Sequence, residues 1–194
     1  MQENVKLFYT IINTLDTEAY FENYMLYNLS PVIKGVKPAI TLSINKSKAL
    51  YDAWNQMNEQ FLVSLGLKSV LLRETSTSII LYIYDEQQLS DVVCVQEVGE
   101  FLINLGYNLD NIQAIVDNLI HRYTLFNCPH ELGIFLGIPI DDVKDFMICS
   151  DKPCVLCGYW QVYNNVDEAK KIFLAYDKAK DEMIYDLLAN IKGA

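Results

Sequence analysis

Apolar residues recur along this chain at two spacings, every three or four positions in long stretches and every second position in short ones. The switches between them sketch its elements. Leu7, Ile11, Tyr20, Tyr24 and Tyr27 give the first 28 residues a helical spacing, in one helix or in two broken near Asp16. Pro31 and Gly35 then punctuate the chain, and Lys37-Pro38 leads into Ala39–Ile44, whose alternation predicts a strand. Ser47 is placed to cap a helix in which Leu50, Trp54, Met57, Phe61 and Leu65 share a face, with Gly66 as its stop. The apolar runs 69–73 and 78–84 flank the polar Glu74-Thr75-Ser76-Thr77, which predicts an antiparallel hairpin. A helix over about 90–105 ends at Gly106. Asn108 is placed to cap another, which buries Ile112, Ile115, Val116 and Leu119 and ends near Arg122.

Beyond Phe126 the spacing is less regular. Leu132–Leu136 suits either a strand or a short helix, and Pro139 with Asp141 and Asp142 fits the first turn of a helix. Val155–Tyr163 reads as a strand. Asn165-Val166-Asp167-Glu168 has the form of a capping box, opening a long helix with Ala169, Ile172, Phe173, Tyr176, Met183, Leu187 and Leu188 on one side. The sum is one globular domain over 1–194 of the α+β (mixed α/β) class. It should hold a mixed sheet of four to five strands packed with six to seven helices. The strand–helix–strand unit over 39–73 allows one parallel pair in that sheet.

Composition agrees. The chain has 194 residues, 52% hydrophobic and 21% charged, with 5 Pro and 8 Gly. A chain of this length buries enough surface to fold without a disulfide or a metal. Fifteen Lys and Arg against 25 Asp and Glu leave a net charge of −10. The densest basic stretch, Lys170-Lys171 with Lys178 and Lys180, is interleaved with Glu168, Asp177, Asp181 and Glu182. That is a solvated mixed face, not the basic stripe that nucleic acid requires, and it disfavours anionic membrane surfaces equally. The expected partner is therefore a small molecule or a protein, with no nucleic acid and no membrane. Met1–Asn4 has no basic signal region, and no apolar run approaches the roughly 18 residues of a membrane span. The expected location is cytoplasmic, with the five cysteines as reduced thiols.

Candidate chemistry concentrates in residues 126–163, which hold four of the five cysteines and one of the two histidines. Three readings stand side by side. Cys128, His130, Cys154 and Cys157 have the ligand types of a Cys3His site for zinc or iron, although only Cys154-x-x-Cys157 has a standard zinc spacing, and a metal is not the favoured reading. His130 can move a proton near neutral pH, with Glu131 or Asp142 to orient it and Cys128 or Cys157 as a nucleophile. On a strand, however, His130 and Glu131 would face opposite sides. The third reading is structural: thiols and large aromatics serve cores, and Gly133, Gly137 and Pro139 shape a corner.

The leading functional expectation is a small enzyme or ligand-binding protein. Its pocket would be lined by His130, Glu131, Tyr159 and Trp160, with Lys37 and Arg122 as supports. His130 would transfer the proton and the aromatics would form a stacking wall. The alternative is a non-catalytic interaction or regulatory module. Dinucleotide-binding, Walker, zincin and nucleophile-elbow motifs are absent. Cys154 and Cys157 follow no thioredoxin-like unit, and their apolar neighbours argue against redox chemistry.

Several blocks together carry a resemblance. They are Pro129-His130-Glu131-Leu132-Gly133, Phe135-Leu136-Gly137-x-Pro139, Asp142-Val143 with Phe146, and Gly158-Tyr159-Trp160-x-Val162-Tyr163, followed by Ala169 and Phe173. The chain resembles the bacterial domain-of-unknown-function family thirty-seven ninety-three, found mainly in anaerobic Gram-positive bacteria. Gly35–Ala39 and Gly106-Tyr107 also fit, so the resemblance covers nearly the whole chain. It implies a single-domain cytoplasmic protein and supplies no activity, so no catalytic residue carries over. Gln161 stands where that family usually has Lys, which removes a charge from the position.

Overall fold

Of the two alternatives for the first 28 residues, the chain takes the second, a break near Asp16 dividing α1 (Gln2–Ile12) from α2 (Thr17–Ile33). The Asp16 carboxylate accepts the Ala19 N–H at 2.8 Å and so caps the second helix. Pro31 lies inside α2 rather than beyond it. Its missing N–H would leave the Tyr27 carbonyl without a partner, and the Ser30 hydroxyl donates to that carbonyl at 2.8 Å. The computed structural model describes residues 2–148 and 152–193, so Cys149 lies outside the described residues.

Three strands follow the alternating patterns: β1 (Ala39–Asn45), β2 (Lys68–Glu74) and β3 (Ser78–Tyr84), with α3 (Ala49–Ser64) between the first two. Ser47 does not cap α3; its hydroxyl bonds to Asn45 Oδ1 instead, and Lys48 occupies the cap position. The hairpin β2–β3 forms as predicted. The expected parallel pair does not, because β3 inserts between β1 and β2 and pairs antiparallel with both. The sheet is thus wholly antiparallel and three-stranded, against the mixed sheet of four to five strands expected.

The remaining strands, β4 (Leu156–Cys157) and β5 (Gln161–Val162), form a separate two-stranded ribbon. The stretch 155–163 is not one strand because the chain reverses within it, Gly158 N–H donating to the Trp160 carbonyl at 3.0 Å. Gly158 is needed there, since a Cβ would overlap the Phe173 ring.

Nine helices stand among the described residues, against the six to seven expected. The helix over 90–105 is two, α4 (Glu86–Val93) and α5 (Gln96–Asn104). Leu89 and Val93 would lie on the side of a continuous helix opposite to Val98 and Leu102, about 140–180° around it. The break lets all four enter one core. Asn111, not Asn108, caps α6 (Ile112–Phe126), which runs one turn past Arg122. Then come α7 (Leu132–Phe135), α8 (Ile140–Met147) and α9 (Val166–Gly193), the last opened by Asn165 Oδ1 accepting the Glu168 N–H at 3.1 Å. Among the described residues no helix is long and apolar enough to cross a membrane.

Period-two alternation on β3 organises the layers. Ile79, Leu81 and Ile83 face α2 and α3, while Tyr82 and Tyr84 face the core built by α4 to α8. A third cluster joins α1, α2 and α9 through Phe8, Ile12, Tyr27, Ile184 and Leu187. The buried Tyr82 hydroxyl donates to the Phe135 carbonyl at 3.0 Å, which fixes α7 against the sheet.

Candidate functional site

Two short helices and the ribbon build an apolar hollow in the 126–163 segment. Asn127 adopts φ 64° at the end of α6 and turns the chain toward α7. Gly133 lets α7 and α8 approach closely, since a Cβ there would stand 3.0 Å from Val143 Cγ2. Gly137, at φ 81°, turns the chain between them. The result is a cavity of about 300 Å³ walled by Pro129, Leu132, Leu136, Ile138, Val143 and Phe146. Trp160 and Gln161 of the ribbon close one side, and Cys128, His130 and Asp142 supply the polar edges. A larger hollow of about 540 Å³ lies between the α1–α2 turn and the start of α3, where Lys48 is the one charged side chain of its lining.

Asp142 is the anchor of this site. It is buried in the first turn of α8. Its carboxylate accepts from Trp160 Nε1 at 2.8 Å, Tyr163 N at 2.9 Å, and Asn164 N and Nδ2 at 3.0 Å each. Those four donors engage both oxygens. Asp142 therefore holds the ribbon against α8 and has little capacity left for a ligand. The Trp160 ring also stands edge-on to Phe173, 4.5 Å between centroids.

His130 is exposed at the rim, its ring edge-on to Phe146 at 4.9 Å. Glu131 turns the other way. It is 1% exposed, forms an ion pair with Arg122 Nε and accepts from the Tyr107 hydroxyl at 3.2 Å. Arg122 also donates to the Leu105 carbonyl at 3.0 Å and lies over the Phe126 ring. Burial, then the Glu131 carboxylate, pushes the Tyr107 hydroxyl far above its ordinary value. The hydrogen bond to Glu131 likewise raises Arg122. Glu131 and Arg122 are thus paired with each other and stand outside the cavity lining, so the structure does not bring His130 and Glu131 together.

The Gly-Tyr-Trp block also divides. Trp160 faces the cavity, whereas the Tyr159 hydroxyl donates to Asp177 of α9 at 2.8 Å. Burial, then that hydrogen bond, raises the Tyr159 hydroxyl strongly. Lys180 sits 5.0 Å from the Tyr159 ring, and Lys37 sits 5.1 Å from the Tyr176 ring. Burial, then the nearby Lys180 charge, brings the Lys37 ammonium down to about 8. Lys37 and Tyr159 therefore belong to a lysine–tyrosine cluster along α9, apart from His130.

The four candidate metal ligands divide as well. Cys154 and Cys157 stand with their sulfurs 2.9 Å apart. Cys128 and His130 line the cavity. Among the described residues no three His, Cys, Asp or Glu side chains gather around one point. The sequence pointed to Asp142 as a first-turn helix residue and as an orienting partner for His130, not as the anchor of the ribbon, and gave the Leu136, Ile138, Val143 and Phe146 wall no part in a pocket. The available signal was Asp142 four positions before Phe146, on the apolar side of α8.

A family model described as "Protein of unknown function (DUF3793)" matches residues 25–193. No curated protein and no solved structure matches the chain. The matched stretch contains both helices of the cavity and the ribbon.

Proposed function

We propose that this chain, which belongs to the DUF3793 family of proteins of unknown function, binds a small and largely apolar molecule in the cavity between α7, α8 and the ribbon. The observation that carries the reading is a concave apolar hollow with His130 exposed at its rim. Its volume, about 300 Å³, lies at the small end of the range for ligand pockets. Displacing water from the Leu132, Ile138, Val143 and Phe146 surfaces supplies the affinity. The Trp160 and Phe146 rings favour a planar or aromatic guest. His130 supplies one polar handle, able to donate from one ring nitrogen and accept at the other.

Binding fits these residues better than catalysis does. A general base needs an orienting partner, and Glu131 is engaged by Arg122 while Asp142 is saturated by the ribbon. A concave hollow at His130, rather than a flat aromatic patch, also favours a small guest over an interaction module.

Ligand-observed NMR with indole and p-cresol as probes tests this. Wild-type protein should bind both, and His130→Ala or Phe146→Ala should weaken binding about fivefold each, the loss of roughly 1 kcal/mol of contact. Undiminished binding by the folded double variant would overturn the reading.

A further inference from the structure

Cys154 enters the ribbon and Cys157 ends its first strand, with two residues between them. Their side chains converge on one side of the turn, the sulfurs 2.9 Å apart. Cys157 is exposed, and Cys154 is half-buried, its thiol donating to the Leu156 carbonyl at 3.0 Å. Among the described residues no third Cys, His, Asp or Glu joins them, so the pair offers two sulfurs and no closed tetrahedral metal site. Short backbone bonds hold the turn: Val155 N–H to the Val162 carbonyl at 2.9 Å and Gly158 N–H to the Trp160 carbonyl at 3.0 Å. The convergence is therefore built into the ribbon.

Although their apolar sequence neighbours argue against redox chemistry, the converging sulfurs and the exposure of Cys157 favour it, and we infer that Cys154 and Cys157 form a reversible dithiol–disulfide site that exchanges with low-molecular-weight disulfides. The exchange balances in two steps. The Cys157 thiolate, formed by loss of its proton to solvent, attacks one sulfur of a disulfide R–S–S–R. A Cys157–S–S–R bond forms, the R–S–S–R bond breaks, and one RS⁻ leaves. The Cys154 thiolate, its proton likewise lost to solvent, then attacks the Cys157 sulfur, forming the Cys154–Cys157 bond and releasing the second RS⁻. Two protein thiols are oxidised, and one small disulfide is reduced to two thiols. Excess small thiol runs both steps backwards.

The order follows from access, because an incoming disulfide reaches the exposed Cys157 first and Cys154 lies behind it as the resolving thiol. A hydrogen bond to Cys154, then partial desolvation, holds the Cys157 thiol above its ordinary value. Since the thiolate is the attacking species, exchange should quicken as pH rises above neutrality. The site is independent of what the cavity binds. It is nevertheless optically readable, because the ribbon carries Trp160 and the chain has only one other tryptophan, the buried Trp54.

The test uses the reduced full chain, incubated anaerobically with glutathione disulfide at pH 7 and pH 8.5. The reaction is quenched with acid, alkylated with N-ethylmaleimide and mapped by peptide mass. The expected product is a peptide spanning Cys154 and Cys157 that has lost two hydrogens and takes no maleimide. It should form faster at the higher pH, persist in an excess of reduced glutathione that strips any adduct from the exposed Cys94, and reverse with dithiothreitol. Cys154→Ser should stop the reaction at a stable glutathione adduct on Cys157. Stable glutathione adducts on the wild-type pair would overturn the inference. So would two maleimides on that peptide once Cys94 has reacted.

Discussion

The indole N–H of Trp160 donates to the carboxylate of Asp142 at 2.8 Å, tying a ribbon to a helix eighteen positions earlier in the chain. The same carboxylate receives the backbone of Tyr163 and Asn164. Removing it strands several donors at once, and an unpaired buried donor costs about 1–3 kcal/mol. Asp142→Ala should destabilise the protein by about 3 kcal/mol and release the ribbon. Asp142→Asn, which keeps one acceptor oxygen, should lose less. Urea unfolding together with the near-ultraviolet signal of Trp160 checks both. An Asp142→Ala variant with unchanged midpoint and unchanged signal would remove Asp142 as the anchor.

Glu131 and Arg122 make a largely buried ion pair outside the cavity lining. Breaking one side of such a pair costs about 3–5 kcal/mol, while replacing both sides with apolar groups is often close to neutral. Glu131→Met alone should destabilise by about 3 kcal/mol, and Glu131→Met with Arg122→Met by clearly less. A double-mutant cycle in urea reads the coupling, and simple additivity would refute it. Glu131→Gln should leave probe binding at His130 intact, because its carboxylate faces Tyr107 and not the cavity.

Lys37 gives a pH signature. Its folded-state value is about 8 because burial disfavours the ammonium, against the usual 10.5 of an exposed lysine. Between those values the unfolded chain binds more protons than the folded one, so this group's contribution to stability rises with pH. Below pH 8 the buried charge is a net cost of about 3 kcal/mol, the contact with the Tyr176 ring included. Lys37→Met should therefore be more stable than wild type at pH 7 by up to about 3 kcal/mol, with the advantage shrinking as pH rises from 8 toward 10. The wild-type-minus-variant difference isolates Lys37, because the tyrosines titrate in both proteins. A difference that stays flat with pH would mean that the ammonium is not desolvated.

Two glycines separate backbone strain from crowding. At Gly35, φ 70°, a Cβ would have no neighbour within 4 Å, whereas at Gly137, φ 81°, it would stand 2.9 Å from Pro38 Cδ. Gly35→Ala should cost about 1 kcal/mol, the left-handed penalty alone. Gly137→Ala should cost about 2–3 kcal/mol, because the loop between α7 and α8 must also move off Pro38. Equal losses in thermal unfolding would show that the contact is relieved without cost.

Much of the local structure was legible. Asn165 was readable as a helix start because a short polar side chain before an apolar periodic stretch satisfies orphan N–H groups wherever it occurs, whereas Asp16 was readable only as one of two alternatives, a break in the first helical stretch. The β2–β3 hairpin was readable because polar residues separate two apolar runs. Pro31 misled because a side chain one residue earlier supplied the missing hydrogen bond. The segment 155–163 misled because its reversal depends on Gly158 meeting Phe173, fifteen positions further on.

The candidate site was legible in location and less so in membership. His130 and Trp160 do line one cavity. Glu131, Arg122, Lys37 and Tyr159 were grouped with them by nearness in sequence or by residue type, and the fold sends each elsewhere.

By itself, then, the sequence determined most of the helical and extended stretches before Phe126, the long last helix, the apolar side of each, and that most of the family-defining blocks lie around one segment. These are local properties: burial acts residue by residue, and its period is written directly into the chain. Only the tertiary structure decided that β3 lies between β1 and β2, that His130 and Glu131 face apart, and that Asp142 is consumed by the ribbon. Those outcomes depend on pairings between distant segments, whose free energy comes from packing and hydrogen bonds that exist only once the segments meet.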